Sequence, residues 1–109
     1  MSADALPSRP VSDQGNDPVV QAARVRISAL DAELVALLNE RLGVVRGLHA
    51  HKRAERYPMV DPARETRLLD ALVAANPGPI SDAELRELWS SVLALMTREA
   101  ARLLDDAGA

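Results

Sequence analysis

The sequence contains no cysteine, which excludes a disulfide framework, a thiol nucleophile and a metal site built on thiolates. Aromatic residues are scarce as well, since the chain has no Phe, one Trp and one Tyr. It also lacks the glycine-rich spacings that bind nucleotide phosphates. Any chemistry in this protein must therefore come from Arg, Lys, Asp and Glu side chains.

The two histidines and the charge balance exclude two further classes of function. His49 and His51 are two residues apart, which places them on different faces of a helix, and no third ligand follows at a recognisable spacing. The chain has 13 basic and 16 acidic residues, a formal charge of −3, which argues against binding nucleic acid through its phosphates. We therefore expect no metal site and no nucleic-acid partner.

The remaining composition is typical of an all-α protein. Hydrophobic residues make up 48% of the 109 residues, and no alternating strand pattern of useful length appears. Residues 1–17 are polar and contain Pro, Ser and Gly, so we expect a disordered tail followed by one helical domain over residues 18–105. No secretory signal or membrane-spanning run is visible, and we expect a cytoplasmic protein without membrane contact.

Three helices are predicted, one long, one short and one of medium length. The first runs from about residue 18 to 55 and the second over residues 63–75, each after an Asp-Pro pair that supplies the N-cap and the first helical residue. Ser81 and Glu84 form a capping box that opens the third helix, which frays after about Asp105.

The first helix carries an apolar seam that ends in cations. Four apolar residues share one face of its first half: Ile27, Leu30, Leu34 and Leu37. The same face continues to Arg41 and Lys52, which are eleven residues apart and project at nearly the same angle. Two cations on a buried stripe are costly unless an anion meets them. A structural arrangement explains the pattern equally well, with the charges reaching water or Arg41 pairing with Glu40 or Asp31 of a neighbouring chain.

The length of the first helix predicts a second copy of the chain. At 1.5 Å per residue it would be about 55 Å long, whereas a compact domain of this size is only about 26 Å across. Two shorter helices cannot cover such a rod along its whole length. We therefore expect an intertwined homodimeric helical bundle.

A second polar group opens the second helix. Asp61, Arg64 and Glu65 lie at i, i+3 and i+4 and share a face, although an N-cap followed by two solvated side chains is the simpler interpretation. Arg24 lies about 100° around the first helix from Arg41. It is therefore better placed for the pocket of another chain than for a pocket that contains Arg41.

These residues and their spacing resemble the all-α chorismate mutases. The matching stretches are R-x-x-I-S-A-L-D, L-x-A-L-L-N-E-R and V-D-P-A-R-E, and the six polar residues whose spacing fits without gaps are Arg24, Arg41, Lys52, Asp61, Arg64 and Glu65. The resemblance covers about residues 20–104. It implies an intertwined homodimer with two identical pockets that rearranges chorismate to prephenate, on the route to phenylalanine and tyrosine. That pericyclic reaction needs no cofactor, metal or nucleophile.

The resemblance also implies a role for each residue of the first helix. Arg41 would bind one carboxylate of the small dicarboxylate substrate, and Arg24 of the other subunit would contribute to carboxylate binding in the same pocket. Lys52 would donate to the ether oxygen, where negative charge develops in the transition state.

Two further assignments follow for the second helix. Arg64 would be another cation of the pocket. Asp61 and Glu65 would lie by the ring hydroxyl, whose hydrogen bond Glu65 can accept.

The third helix matches the family less well. The family places a Gln or Glu there as a second donor to the ether oxygen, with a small polar residue about one turn earlier. One register of this helix puts Leu95 and Glu99 at the two places, and the other puts Met96 and Ala100 there. Glu99 is the candidate for the catalytic donor, in protonated form, and is equally well explained as the surface partner of a neighbouring arginine.

Other functions remain open at this stage. An aminodeoxychorismate mutase or an isochorismate pyruvate-lyase would use the same carboxylate-binding cations and differ near the ring substituent. A non-catalytic helical dimerisation module would explain the seam without chemistry. An enzyme that becomes fully active only with a partner enzyme is a further alternative, and it would show weak activity in isolation.

Overall fold

The computed structural model describes residues 6–108, which are all-α and contain no β-strand. A 3₁₀ helix, Val11–Asn16, precedes three α-helices: α1 (Pro18–Glu55), α2 (Pro62–Ala74) and α3 (Asp82–Ala107). The predicted class, with one long, one short and one medium helix, is confirmed. No helix within this range is both long enough and apolar enough to cross a membrane. The cytoplasmic location stays a prediction.

The predicted helix starts are formed by side-chain caps. The Asp17 carboxylate accepts a 2.9 Å hydrogen bond from the amide of Val19, and the Asp61 carboxylate accepts one of 3.0 Å from the amide of Arg64. At the start of α3, the Ser81 hydroxyl accepts a 3.2 Å hydrogen bond from the backbone amide of Glu84. Each such cap stabilises its helix by about 1 kcal/mol. The Asp61 cap therefore fixes the end of the short loop that precedes α2.

The end of α1 is equally well defined. Arg56 follows its last residue with φ at 61°, the left-handed conformation that closes many helices. The amide of Tyr57 then donates to the carbonyl of Lys52 at 2.8 Å. Pro58 comes next and cannot continue the helix. The chain therefore turns one helical turn after Lys52, which carries the predicted catalytic ammonium group.

The segment before α1 differs from its sequence-based description. The 3₁₀ helix lies within the predicted tail, although none of its residues is buried. Such a short helix needs only local i to i+3 hydrogen bonds and no apolar face, so hydrophobic periodicity does not reveal it. Residues 1–5 of the predicted tail lie outside the described residues. The division into a tail and a domain stays a prediction.

The chain divides into two units, which we describe separately. The first extends to Leu38 and contains the 3₁₀ helix and the first half of α1. None of its described residues is buried. The four seam residues are between 39% and 61% exposed. This unit therefore has no hydrophobic core of its own.

The second unit extends from Asn39 and contains the rest of α1 with α2 and α3. Helix α2 packs on α3, where Arg86 and Asp70 form a 3.0 Å ion pair. The last turn of α1 is joined to α3 by a second 3.0 Å ion pair, between Arg53 and Asp105. Its buried residues are His49, Met96 and Ala100. This unit contains the candidate site.

Candidate active site

A cavity in the second unit lies among α1, α2, α3 and the loop before α2. Three cations, two carboxylates and one imidazole line it: Arg41, Lys52, Arg64, Asp61, Glu65 and His49. Five of the seven residues predicted for the site, counting Glu99 with the six polar residues, therefore meet at one cavity. Within residues 6–108, no group of three or more His, Cys, Asp or Glu side chains is arranged to hold a metal ion.

Helix geometry explains why the residues of α1 meet there. His49 and Lys52 follow Arg41 by eight and eleven residues, about two and three turns, so all three project from one face. Val45 and Leu48 fill the same face and also line the cavity. The polar interruption of the apolar pattern is therefore where the cavity forms.

Arg41 has an incomplete set of partners. Its Nη1 atom is buried and has no hydrogen-bond partner among the described residues. Its guanidinium carbon lies 6.0 Å from the ring centroid of Trp89. Buried donors are nearly always paired in folded proteins, because an unpaired one costs about 1–3 kcal/mol. This orphaned donor favours the interpretation of Arg41 as an anion-binding residue.

Lys52 is anchored without being neutralised. Its Nζ donates a 3.3 Å hydrogen bond to the backbone carbonyl of Met59, in the loop between α1 and α2. An ammonium group has three donors, so two remain for a ligand. The half-buried side chain is thus held at the cavity with its charge available.

The first turn of α2 serves both the fold and the cavity. Asp61 caps the helix through Oδ1, so the simpler structural interpretation of this residue is correct, and it also lines the cavity. Arg64 and Glu65 follow on the same face and line the cavity beside it. Glu65 is half-buried. A cation and two carboxylates therefore sit opposite the charged face of α1.

His49 is a residue of the cavity that the sequence did not reveal. It is only 6% exposed. Burial lowers the pKa of its imidazole, and the charges of Lys52 and Arg53 lower it further. The side chain is therefore neutral at pH 7. The signal in the sequence is its position three residues before Lys52, which places it on the same helix face.

Helix α3 presents an apolar wall with one hydroxyl. Leu93, Met96 and Thr97 line the cavity. Met96 and Ala100 are 3% and 0% exposed, so the register that turns these two residues inward is the one that forms. Thr97 is a second residue that the sequence did not reveal, since neither register singled it out.

Glu99 is not brought to the cavity. Its carboxylate accepts a hydrogen bond from Nε of Arg102 on the same helix. Each residue advances a helix by about 100°, so a side chain next to the buried Ala100 points well away from that face. The alternative interpretation, a partner of a neighbouring arginine, matches the structure.

Arg24 belongs to the first unit and is exposed. Its Nη2 donates a 2.8 Å hydrogen bond to Oε1 of Gln14. The structure describes a single chain, so the placement of Arg24 in the pocket of a partner stays a prediction.

The fold and the cavity together define a class: an all-α protein with a small pocket in which fixed cations are available to an anionic ligand. Residues 23–100 match the family described as chorismate mutase type II. Because the match covers most of the chain, the protein belongs to the chorismate mutase type II family.

Solved structures agree with this membership. The chain is 30% identical to chorismate mutase form II from Thermus thermophilus, with a TM-score of 0.74 over 76% of this chain and 94% of that one. Form I from the same organism is 31% identical, with a TM-score of 0.69 over 71% of this chain and 96% of that one. A search of curated proteins finds no significant match. The predicted family, function and enzyme class, an isomerase, are confirmed, and no match supports the sister activities.

Proposed function

We propose that this protein is a chorismate mutase that converts chorismate to prephenate in the cavity among α1, α2 and α3. The observation that carries the proposal is the convergence of Arg41, Lys52 and Arg64 on one cavity, where Nη1 of Arg41 has no acceptor within residues 6–108. The rearrangement forms and breaks bonds within one molecule and needs no nucleophile. The pocket has to hold the dicarboxylate compactly and stabilise the charge that develops.

The two cations of α1 have different roles in this proposal. Arg41 binds a carboxylate of the substrate, because its planar guanidinium can form two parallel hydrogen bonds to it. Lys52 donates to the ether oxygen. This contact strengthens as the carbon–oxygen bond breaks and negative charge grows on the oxygen, so it lowers the barrier rather than only improving binding.

The first turn of α2 supplies the remaining polar contacts. Arg64 adds positive charge for the second carboxylate of the substrate. Glu65 accepts the hydrogen bond of the ring hydroxyl, and Asp61, whose Oδ1 is used by the helix cap, contributes Oδ2 nearby. The carboxylates also limit the excess positive charge of the pocket before the substrate binds.

Stabilisation of the ether oxygen rests on Lys52 in this proposal. Leu93 and Met96 offer no donor from α3, and the Thr97 hydroxyl donates to the backbone carbonyl of Leu93 at 3.2 Å. Glu99 pairs with Arg102 away from the cavity. We therefore leave Glu99 out of the catalytic group. Turnover depends on fewer donors than the family pattern includes.

We also propose that the active form is a homodimer. The four apolar seam residues of α1 remain 39–61% exposed in the single chain, and burying the exposed half of each would stabilise a dimer by roughly 0.8–1.5 kcal/mol per side chain. Arg24 of one chain then enters the pocket of its partner. An activating partner enzyme stays a prediction.

The test is chorismate consumption by the purified protein, comparing Arg41→Ala with Arg46→Ala. Arg46 is an exposed cation on the same helix and does not line the cavity, so it is a matched control for charge and helix. We expect Arg41→Ala to lower kcat/KM by about 100-fold, as for loss of a charge-assisted hydrogen bond. Arg46→Ala should stay within about twofold. Equal effects of the two substitutions in folded proteins would reject this pocket.

A further inference from the structure

The single tryptophan of the chain stacks near the guanidinium that the proposed function uses. Trp89 lies on α3, is half-buried, and does not line the cavity itself. The guanidinium carbon of Arg41 is 6.0 Å from its ring centroid, within the range of a cation–π interaction. Helix α3 therefore contributes to the carboxylate site through Arg41 rather than by a direct contact.

An aromatic face suits the requirements of an anion-binding arginine. A carboxylate partner would fix the guanidinium, but it would also occupy the donors and compete with the ligand. The face of an indole ring attracts the cation without accepting its N–H hydrogen bonds. Nη1 of Arg41 remains buried without a partner in this arrangement, as a site awaiting an anion requires.

The indole nitrogen supports the same interpretation. Nε1 of Trp89 is also buried without a hydrogen-bond partner among the described residues. A phenylalanine would fill the space between the helices without leaving such a donor unpaired. Trp has a larger π face than Phe and is the strongest cation–π partner among the aromatic side chains. Phenylalanine would therefore attract the guanidinium less strongly.

We propose that Trp89 is a positioning residue that holds the Arg41 guanidinium ready for a carboxylate of the substrate. This inference rests on the proposed function for the identity of the substrate. The geometry itself requires only that the ligand carry a carboxylate that Arg41 can bind. The stacked ring reduces the number of orientations that Arg41 must give up when the ligand binds, so its contribution appears mainly in affinity.

The first experiment compares Trp89→Leu, which keeps an apolar side chain, with Trp89→Phe, which keeps an aromatic face. We expect Trp89→Leu to raise KM for chorismate about tenfold with a smaller change in kcat, because binding in the ground and transition states weakens alike. Trp89→Phe should stay within about threefold of the wild type. Val92→Ala is the control for packing, since Val92 is a half-buried residue of α3 that does not line the cavity. It should lower the melting temperature without raising KM.

A double-mutant cycle tests whether Trp89 acts through Arg41. In the Arg41→Ala background, Trp89→Leu should have no further effect on KM, because the group it positions is gone. The inference is overturned if the two effects multiply in the double variant. It is overturned equally if folded Trp89→Leu and Trp89→Phe give the same KM.

A binding measurement without turnover separates this inference from the proposed function. Malate, a small dicarboxylate that does not absorb in the tryptophan region, is titrated while the emission of Trp89 is recorded. Emission should change with malate in the wild type and stay constant in Arg41→Ala, and Trp89→Phe should bind malate more tightly than Trp89→Leu by calorimetry. If chorismate is not converted but these results hold, the proposed function fails and the inference stands. If malate binds Trp89→Leu and the wild type equally well, the inference fails whatever the activity.

Discussion

Arg41 and Lys52 show how one helix face can be both a packing surface and a site. Both residues continue the apolar face of α1, yet neither is neutralised by a carboxylate of its own chain within the cavity. The Arg41 guanidinium lies 6.0 Å from the centroid of the Trp89 ring, and Lys52 donates to a backbone carbonyl. Both contacts leave the positive charge in place. In the proposed mechanism the charges are fixed before the substrate arrives, which is the condition for electrostatic catalysis with little reorganisation.

His49 adds a titratable group to this cavity, and its burial predicts a specific pH dependence of stability. Its pKa is lowered in the folded protein from the ordinary 6.5, chiefly by burial and then by the charges of Lys52 and Arg53. Well above pH 6.5 the imidazole is neutral in both folded and unfolded chains. As the pH falls from 6.5 through the lowered pKa, the unfolded chain binds the proton first, so stability is lost.

The measurement is the melting temperature of the wild type between pH 7.5 and pH 5, compared with His49→Gln. We expect part of the acid-induced fall to disappear in His49→Gln, because the glutamine does not titrate. His51→Gln is the matched control, since His51 is exposed two residues along the same helix. A fall of the same size in the wild type and His49→Gln would contradict the account of the buried imidazole.

At the scale of the helices, rigid spacing made most of the site predictable from the sequence. Arg41 and Lys52 are three turns apart on one helix, and Asp61 begins a helix whose start its own side chain fixes. Because helical geometry is regular, the distances between such residues follow from their numbers. The length of α1 and the caps of α2 and α3 were predictable for a different reason. No proline lies between Pro18 and Pro58, and Asp61 and Ser81 are residue types that cap helices.

The register of α3 was not predictable, because apolar residues occur on more than one side of this helix. Leu88 and Leu95 are 54% and 38% exposed, whereas Met96 is 3% exposed. Hydrophobic periodicity alone cannot predict which of two apolar faces of a helix is buried. In this protein, the buried face is determined by packing, which includes the contact of α2 with α3. The positions of Trp89 near Arg41 and of Thr97 at the cavity depend on which face of α3 is buried. The sequence alone therefore could not reveal these positions.

The orientation of α3 predicts that Glu99 is dispensable for catalysis. Glu99→Ala removes a solvent-exposed pair with Arg102, and such pairs on a helix surface contribute little to stability. We expect kcat and its pH profile to match those of the wild type, measured from mildly acid to mildly alkaline pH. A large loss of kcat in folded Glu99→Ala would restore Glu99 as the donor to the ether oxygen and contradict the placement described here.

At the scale of the whole molecule, the proposed dimer would combine residues of the two units in one pocket. The first unit has an exposed apolar seam and carries Arg24, whereas the second unit contains the cavity. An intertwined dimer would cover the seam and complete each pocket with a cation from the other chain. Arg24 and Arg41 would then act together only when they belong to different chains.

Mixing two inactive variants tests this arrangement. In a heterodimer of Arg24→Ala and Arg41→Ala, one pocket has both arginines and the other has neither. Random exchange of chains should restore about a quarter of the wild-type activity, since half of the dimers regain half of their pockets. Arg41→Ala mixed with Lys52→Ala is the control, because every pocket then lacks one residue of its own chain. Equal recovery in the two mixtures, or none in either after verified exchange, would contradict the shared pocket.

The most direct test of the central claim is the conversion of chorismate by the purified wild-type chain, with the product identified. The account predicts loss of chorismate absorbance, prephenate as the product, and a rate that Arg41→Ala reduces by about 100-fold while the protein stays folded. A folded dimer that leaves chorismate unchanged would contradict the account. So would a product other than prephenate, because the cavity would then serve a different reaction.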